Sequence, residues 1–282
     1  MTTDEPFVDI PTDVPTSARI YAWNLGGKDN FEIDRQFALR NGPAFPETVD
    51  ITRQNRLFLY RAVRYLAVEA GIRQFVDLGC GLPTENNVHQ VAQRFAPDAR
   101  VVYVDVDPIV AVHARALLAD DDSTAFVTAD MRDQEAIIEH PKFRRLIDLD
   151  EPVAVLFLSV GHHLPDADDP RRVLRAVIDR APVNSHLVFT QVAYLNAERG
   201  AAMTELMNSA GIPWQTRSPA EIDALLDGFE PVAPGLGDVK EWRPDPDQPP
   251  LAPVPAELAD YVGASERRKE LIEYGGVLRK AD

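Results

Sequence analysis

The sequence predicts an α/β fold in which a mostly parallel sheet carries helices on both faces, and three observations predict it. Between residues 74 and 191, short apolar segments alternate with stretches of helical periodicity. Those segments are apolar throughout, as strands covered on both faces must be. Near the C-terminus, residues 243–255 hold six prolines, so no regular crossover helix fits there and the final strand is expected to return antiparallel to its neighbour.

The elements follow in order. Leu59, Val63, Leu66, Ala67 and Ala70 form a helical stripe, and Gly71 stands where a left-handed cap would end it. Residues 74–78 make the first strand. Val88, Val91, Ala92 and Phe95 give the next helix face, with Thr84 or Asn86 as its N-cap. Residues 101–104 form a second strand that runs into Asp107-Pro108, a cap followed by proline at the first helical position, with Ile109, Val112, Ala116 and Leu117 facing inward. Strands three to five fall at 125–129, 153–160 and 187–191. Asp169-Pro170 opens another helix, buried through Val173, Leu174, Val177 and Ile178. Met203, Leu206, Met207 and Ala210 carry one closed by Gly211, and Ser218-Pro219-Ala220-Glu221 is a capping box closed by Gly228. Residues 229–232 and 276–278 complete seven strands, with a helix expected at 256–261.

With 282 residues the chain can bury a full core. The organisation expected is a flexible tail over residues 1–15, a helical accessory segment to about residue 70, and the α/β domain over 71–282. A net charge of −16 disfavours nucleic acid and anionic membrane as partners, since both need a surplus of Lys and Arg. Cys80 is the sole cysteine, which excludes an internal disulfide and a four-cysteine zinc site. The six histidines lack metal-binding spacing, so no metal is expected. The N-terminus MTTDEPFVDIP has neither the basic start nor the apolar stretch of a signal peptide. The longest apolar run, residues 153–158, is far below the roughly 18 needed to span a bilayer. A soluble, cytoplasmic protein is expected.

In open α/β sheets ligands sit beyond the carboxyl ends of the strands. After strand one comes Asp77-Leu78-Gly79-Cys80-Gly81, where glycines permit a tight turn and close approach of backbone to ligand. A nicotinamide-binding turn needs a third glycine three residues on, and that position is Thr84. Asp77, two places before Gly79, suits an ammonium and opposes a pyrophosphate. Asp105 ends strand two, 24 residues after Gly81, near the spacing at which an acid accepts from ribose hydroxyls. Asp130 ends strand three, where a carboxylate can accept from an adenine amino group while Met131 covers the ring. Each acid alone could equally be a solvated turn residue. Three at successive strand ends point to one nucleoside site. Cys80 has no flanking base and is small enough to pack between its glycines.

On these residues the chain resembles the S-adenosylmethionine (SAM)-dependent methyltransferase superfamily: FVDLGCG is similar to its first motif, VVYVDVDP to its second and FVTADMRD to its third. The resemblance implies a Rossmann-like three-layer fold with an antiparallel last strand, and SAM as cofactor. It places Asp77, Gly79, Cys80 and Gly81 at the methionine end, Asp105 with Val106 at the ribose, Asp130 with Met131 at the adenine, and Ser159 at the same cleft. A narrower resemblance, through PTSARIYAWNLGGKDNFEID (15–34), NVHQVAQ (87–93), RPD (243–245) and YGGVLRK (274–280), is to a family of predicted actinobacterial methyltransferases and spans nearly the whole chain. The chain departs from many methyltransferases before strand five, where Ala181-Pro182-Val183-Asn184 replaces a proline-glycine-glycine turn.

Residues 19–30 combine Arg19, Tyr21, Trp23, Gly26, Gly27, Lys28, Asp29 and Asn30. They form either a lid, with Arg19 or Lys28 meeting the methionine carboxylate and Tyr21 closing the pocket, or a surface turn. Strand four ends in Ser159-Val160-Gly161-His162-His163, where the methyl acceptor lies in this fold. Methyl transfer needs alignment, desolvation and, for a protonated nucleophile, a base. His162 or His163 could be that base, or both could merely pack at the strand end; on an extended strand at most one faces the pocket. The function expected is methyl transfer to an O, N or C atom of a small molecule. The alternatives are a SAM-binding protein without transferase activity and a nicotinamide oxidoreductase.

Overall fold

The computed structural model describes residues 10–117 and 122–281; most of the expected N-terminal tail, residues 1–9, lies outside the described residues. Three helices come first: α1 (Ser17–Asn24), α2 (Glu32–Asn41) and α3 (Thr48–Val68). The alternating region follows as β1 (Gln74–Leu78), α4 (Val88–Phe95), β2 (Arg100–Asp105), α5 (Pro108–Leu117), β3 (Thr124–Thr128), α6 (Gln134–Glu139), α7 (Pro141–Leu146), β4 (Ala154–Phe157), α8 (Pro170–Arg175) and β5 (His186–Tyr194). The C-terminal part contributes α9 (Ala197–Ser209), α10 (Pro219–Leu225), β6 (Phe229–Pro231), β7 (Gly237–Asp238), α11 (Ala264–Arg267) and β8 (Leu271–Lys280).

The sheet order is β3-β2-β1-β4-β5-β8-β6, with β7 paired to β8 off that path. Strands β1 to β5 run parallel, and β8 runs antiparallel to β5, β6 and β7. This is the Rossmann-like methyltransferase sheet, antiparallel last strand included. It holds eight strands where seven were expected, because the two-residue β7 is too short to leave a periodic signal. The order reverses at β1, which pairs with β2 on one side and β4 on the other, so a ligand crevice opens at the carboxyl ends of these strands.

Strand residues alternate between two cores. Phe75, Val101, Tyr103, Ala154, Leu156, Val188 and Val277 share one with α3, α4 and α5. Val76, Val102, Val104, Val155, Phe157, Leu187 and Phe189 share the other with α6, α7, α8 and α10. Since α3 contributes Phe58, Leu59, Val63 and Leu66 to the first, the accessory segment and the sheet are built on one core. The glycine of YGGVLRK at position 275 has a steric reason: a Cβ there would stand 1.9 Å from the Phe189 carbonyl oxygen, so only glycine lets β8 lie against β5.

Three local expectations need correction. The N-cap of α4 is Asn87, not Thr84 or Asn86, and Gln90 reaches back to its N–H at 2.9 Å. On α5 the inward residues are Ile109, Val110 and Ala114, while Val112 is 41% exposed; the side chains of Ala116 and Leu117 lie outside those described. Residues 256–261 form a 3-10 helix. Before β5, Asn184 adopts φ +71°, so asparagine fills the left-handed position that a glycine would take. Among the described residues no helix is long and apolar enough to cross a membrane.

Candidate functional site

The first turn after β1 is shaped by its glycines. Gly79 sits at φ +73°, and a Cβ there would meet Val160 Cγ1 at 2.9 Å; Gly81 sits at φ +65° with open space where its Cβ would be. The Gly79 and Cys80 N–H groups donate to the Val104 carbonyl, which ties the turn to β2. Asp105 completes the frame, accepting from Gly81 N at 2.8 Å and from Asp107 N at 2.9 Å. Val106 next to it is exposed. Cys80 packs against the core, and burial pushes its thiol well above the usual range, so it is no nucleophile at neutral pH.

Asp77 is buried at the end of β1 and takes no hydrogen bond from any described residue. Burial raises its carboxyl to about 7, against the opposing pull of the Arg56 guanidinium and with a smaller upward push from Asp105. Arg56 comes from α3, a position the sequence analysis did not single out. It bonds Glu85 O through Nη2 (2.7 Å) and Asn87 Oδ1 (3.1 Å), fixing the loop that starts α4. Signal for it existed: the apolar stripe of α3, continued N-terminally from Leu59, passes through Thr52, Asn55 and Arg56, which are all buried. Asp130, beyond β3, is clamped by Arg132, whose guanidinium and N–H hold the carboxylate below its usual range. Asp77, Asp105 and Asp130 thus lie at the carboxyl ends of three adjacent strands. Met131 is half-buried beside them, packed on the core of the opposite sheet face.

The accessory helices close over the other side of the crevice. Tyr21 accepts from Asn55 Nδ2 at 2.8 Å; Asn55 Oδ1 accepts from Thr190 Oγ1 at 2.8 Å; Thr190 Oγ1 accepts from Ser159 N at 2.6 Å. This chain links α1, α3, β5 and the end of β4. Ser159 holds φ +56°, an uncommon conformation for serine, kept by that bond. Burial raises the Tyr21 phenol to about 12, so it stays protonated. Behind this chain Glu273 of β8 is fully buried beside the Thr190 and Ser159 hydroxyls, and burial raises it to about 8.

A cavity of about 100 Å³ lies between α1–α3 and α9, with Ser159, Tyr21, His162, Trp214, Phe37 and Phe45 in its wall. A larger hollow of about 540 Å³ sits at the amino ends of the strands, lined by Tyr65, Arg73, His186 and Arg279, remote from the glycine turn.

Comparison with known proteins decides the family. A model of the S-adenosyl methyltransferase family matches residues 3–281. The chain belongs to that family. It is similar to a candidate methyltransferase from Thermobifida fusca YX, at 39% identity over 95% of this chain and 96% of that one, with a TM-score of 0.81. It is also similar to a DUF574-family protein from Streptomyces avermitilis MA-4680, at 36% identity over 96% and 99% of the chains, with a TM-score of 0.82. No curated protein matches the chain.

SAM, the cofactor of the family, carries a sulfonium and an ammonium but no phosphate, and the crevice fits it. A buried carboxylate without a hydrogen-bond donor, Asp77, suits a cation, and the open side of Gly81 leaves room for close approach. A pyrophosphate would need a helix N-terminus at the turn, whereas α4 begins only at Val88.

In this methyltransferase-family chain two expected roles change. Arg19 is fully buried and committed to structure: its Nε meets Asp34 Oδ2 at 2.7 Å, Nη1 meets Pro11 O at 2.9 Å, and Nη2 meets Val14 O. With its side chain fully buried and its charge matched by Asp34, Arg19 is a structural cation and not one exposed to the cavity. Lys28 is exposed, on a loop whose Asp29 lies 3.7 Å from His113 of α5, so that loop borders the Asp105 side of the crevice. The two histidines belong to a 3-10 turn, Gly161–His163, not to an extended strand. His162 lines the cavity, but its Nδ1 accepts from Val192 N at 3.2 Å, so the proton of the neutral ring sits on Nε2. Burial keeps the ring neutral, with His163 and Arg217 adding to the effect. With its Nδ1 lone pair engaged by Val192 N and its ring kept neutral, His162 is poorly placed to take a proton.

Proposed function

We propose that the chain transfers a methyl group from SAM to an oxygen, nitrogen or carbon atom of a small molecule bound in the cavity beyond Ser159. The observation that carries this is the placement of that cavity: its wall includes Ser159, the second residue past β4, and β4 is the direct neighbour of the strand that carries Asp77 and the glycine turn. A SAM-binding protein without transferase activity needs no second chamber there.

SAM supplies an electrophilic methyl group on a sulfonium. The chain's part is binding, alignment and exclusion of water. Asp77 faces the cationic end, the Gly79–Gly81 backbone gives close approach, Asp105 with Val106 borders the ribose, and Asp130 with Met131 the adenine. Asp77 is electrostatically matched to cation binding once ionised, and its raised carboxyl couples that binding to pH. Tyr21 and the bonded chain through Asn55 and Thr190 seal the crevice from the lid side.

The net charge of −16 supports a small-molecule acceptor over nucleic acid or an anionic membrane, and the single cysteine suits a reducing cytoplasm. The test is calorimetric titration with S-adenosylhomocysteine and, separately, NADH. We expect one saturable site for the first and none for the second. Binding of NADH alone would refute the assignment.

A further inference from the structure

We propose that the cavity accepts a neutral, single-ring phenol, and that Ser17 relays its hydroxyl proton to His163 as the methyl group is transferred. This rests on the methyl-transfer function above and names its acceptor class.

Among the described residues the cavity wall contains no charged side chain. Its polar groups are hydroxyls, amides and the neutral His162 ring, so a carboxylate or ammonium on the acceptor would be buried without a counter-charge. Its apolar part is rich in rings and thioethers, with Phe37, Phe45, Trp214, Met203 and Met207. His162 and Trp214 stack at 3.6 Å with planes 27° apart, making one flat wall. The volume, about 100 Å³, is below the roughly 150 Å³ of an apolar cavity that admits benzene, so one ring is the most this space takes, with the side chains of its wall giving way slightly. A flat, uncharged ring is the ligand this space selects.

The proton has a defined path. His163 Nδ1 lies 2.8 Å from the Pro213 carbonyl oxygen, which can only accept, so Nδ1 carries the ring proton and Nε2 is the basic nitrogen. Nε2 lies 3.1 Å from Ser17 Oγ, so the serine hydroxyl donates to it. Ser17 is also part of the cavity wall. In the transfer step the acceptor oxygen forms its bond to the methyl carbon as the carbon–sulfur bond breaks and its electron pair returns to sulfur. The acceptor's hydroxyl proton passes to Ser17 Oγ, and the serine proton passes to His163 Nε2. The charge lost at the sulfonium reappears as the His163 imidazolium, and this half-buried ring then releases its proton to water. Burial lowers His163 from the usual imidazole range, and a base so weakened matches a phenol, at about 10, better than an aliphatic alcohol. The titratable and charged neighbours of this turn are His162, at 4.5 Å between ring centroids, and the Arg217–Asp166 pair behind it.

The test uses the full chain with p-cresol as probe and benzoate as the charged counterpart. First, S-adenosylhomocysteine binding is measured; its absence overturns the methyl-transfer function itself. With that ligand bound, p-cresol is expected to saturate the cavity and benzoate not to bind; no p-cresol binding, or equal binding of both, overturns the acceptor class alone. With SAM, methylated p-cresol should form, and its absence despite p-cresol binding also overturns the proposal. Ser17→Ala and His163→Gln should each lower kcat about 100-fold while the dissociation constants of S-adenosylhomocysteine and p-cresol stay within about twofold. The wild-type kcat should fall on the acid side of the His163 titration, and that limb should vanish in His163→Gln. An unchanged acid limb in the variant overturns the relay.

Discussion

Asn55 and Thr190 meet at 2.8 Å, a polar bond that adds to the shared core in fastening the lid to the sheet. Asn55 also donates to Tyr21 of α1, and Thr190 accepts from the Ser159 N–H at the cavity wall. Thr190→Val keeps the shape and removes the hydroxyl, leaving the Ser159 N–H and Asn55 Oδ1 unsatisfied. Each such group costs roughly 1–3 kcal/mol. We expect a loss of about 2 kcal/mol or more, read as a lower urea midpoint at unchanged slope, together with weaker S-adenosylhomocysteine binding. Unchanged stability would show that the bond carries nothing.

The Arg19–Asp34 pair is the pillar of the lid. Asp34 accepts from Arg19 Nε, Thr16 N and Phe31 N, so removing either partner strands a buried charge. Arg19→Ala should cost about 3–5 kcal/mol. Because the whole lid loosens, SAM and adenosine should weaken together. Selective loss of SAM with adenosine spared would restore a direct role for Arg19 at the methionine carboxylate. The double variant with Asp34→Ala should cost little more than either single change.

Stability should fall as pH rises above neutrality. Burial raises Asp77 from 3.8 to about 7 and Glu273 from 4.5 to about 8, so both acids bind protons in the folded state that the unfolded chain has released. Their contribution is complete below pH 4 and is lost as pH passes 7 and then 8. His162, His163 and His186 are shifted downward and act the opposite way, but only below their ordinary value of 6.5. The clean window is therefore pH 6.5 to 8.5. Thermal melts across it should show a steady decline, shallower in Glu273→Gln. Over the same range SAM binding should tighten as Asp77 ionises, and Asp77→Asn should flatten that trend.

Much of this site was legible because glycines and acids at strand ends mark themselves. Gly79, Gly81, Asp77, Asp105 and Asp130 needed only the strand boundaries to be placed. What stayed hidden depends on partners far apart in sequence. Arg19 looks like a ligand-binding cation until Asp34 and two carbonyls surround it. Which ring nitrogen of His162 and of His163 carries the proton follows from Val192 N and the Pro213 carbonyl, which no local pattern announces. Helices α6 and α7 are six residues each, too short to show a full amphipathic period. Arg56 was within reach, since the stripe that identified α3 extends to it.

Asp105 has two duties, and the choice of substitution separates them. Its Oδ2 takes the Gly81 N–H and its Oδ1 the Asp107 N–H, so the carboxylate braces both the glycine turn and the start of α5, and in the proposed function it also borders the ribose. Asp105→Ala removes everything at once: we expect loss of measurable S-adenosylhomocysteine and adenosine binding, with the sheet intact by circular dichroism. Asp105→Asn keeps one acceptor oxygen, so part of the brace survives. Its adenosine affinity should fall by about 10- to 150-fold, the effect of one lost charge-assisted bond at roughly 1.5–3 kcal/mol. If Asp105→Asn instead bound adenosine as tightly as the unmodified chain, while Asp105→Ala still failed to bind it, the residue would be a brace for the turn and not a ribose ligand. Comparing the two ligands in the two variants by calorimetry distinguishes these cases.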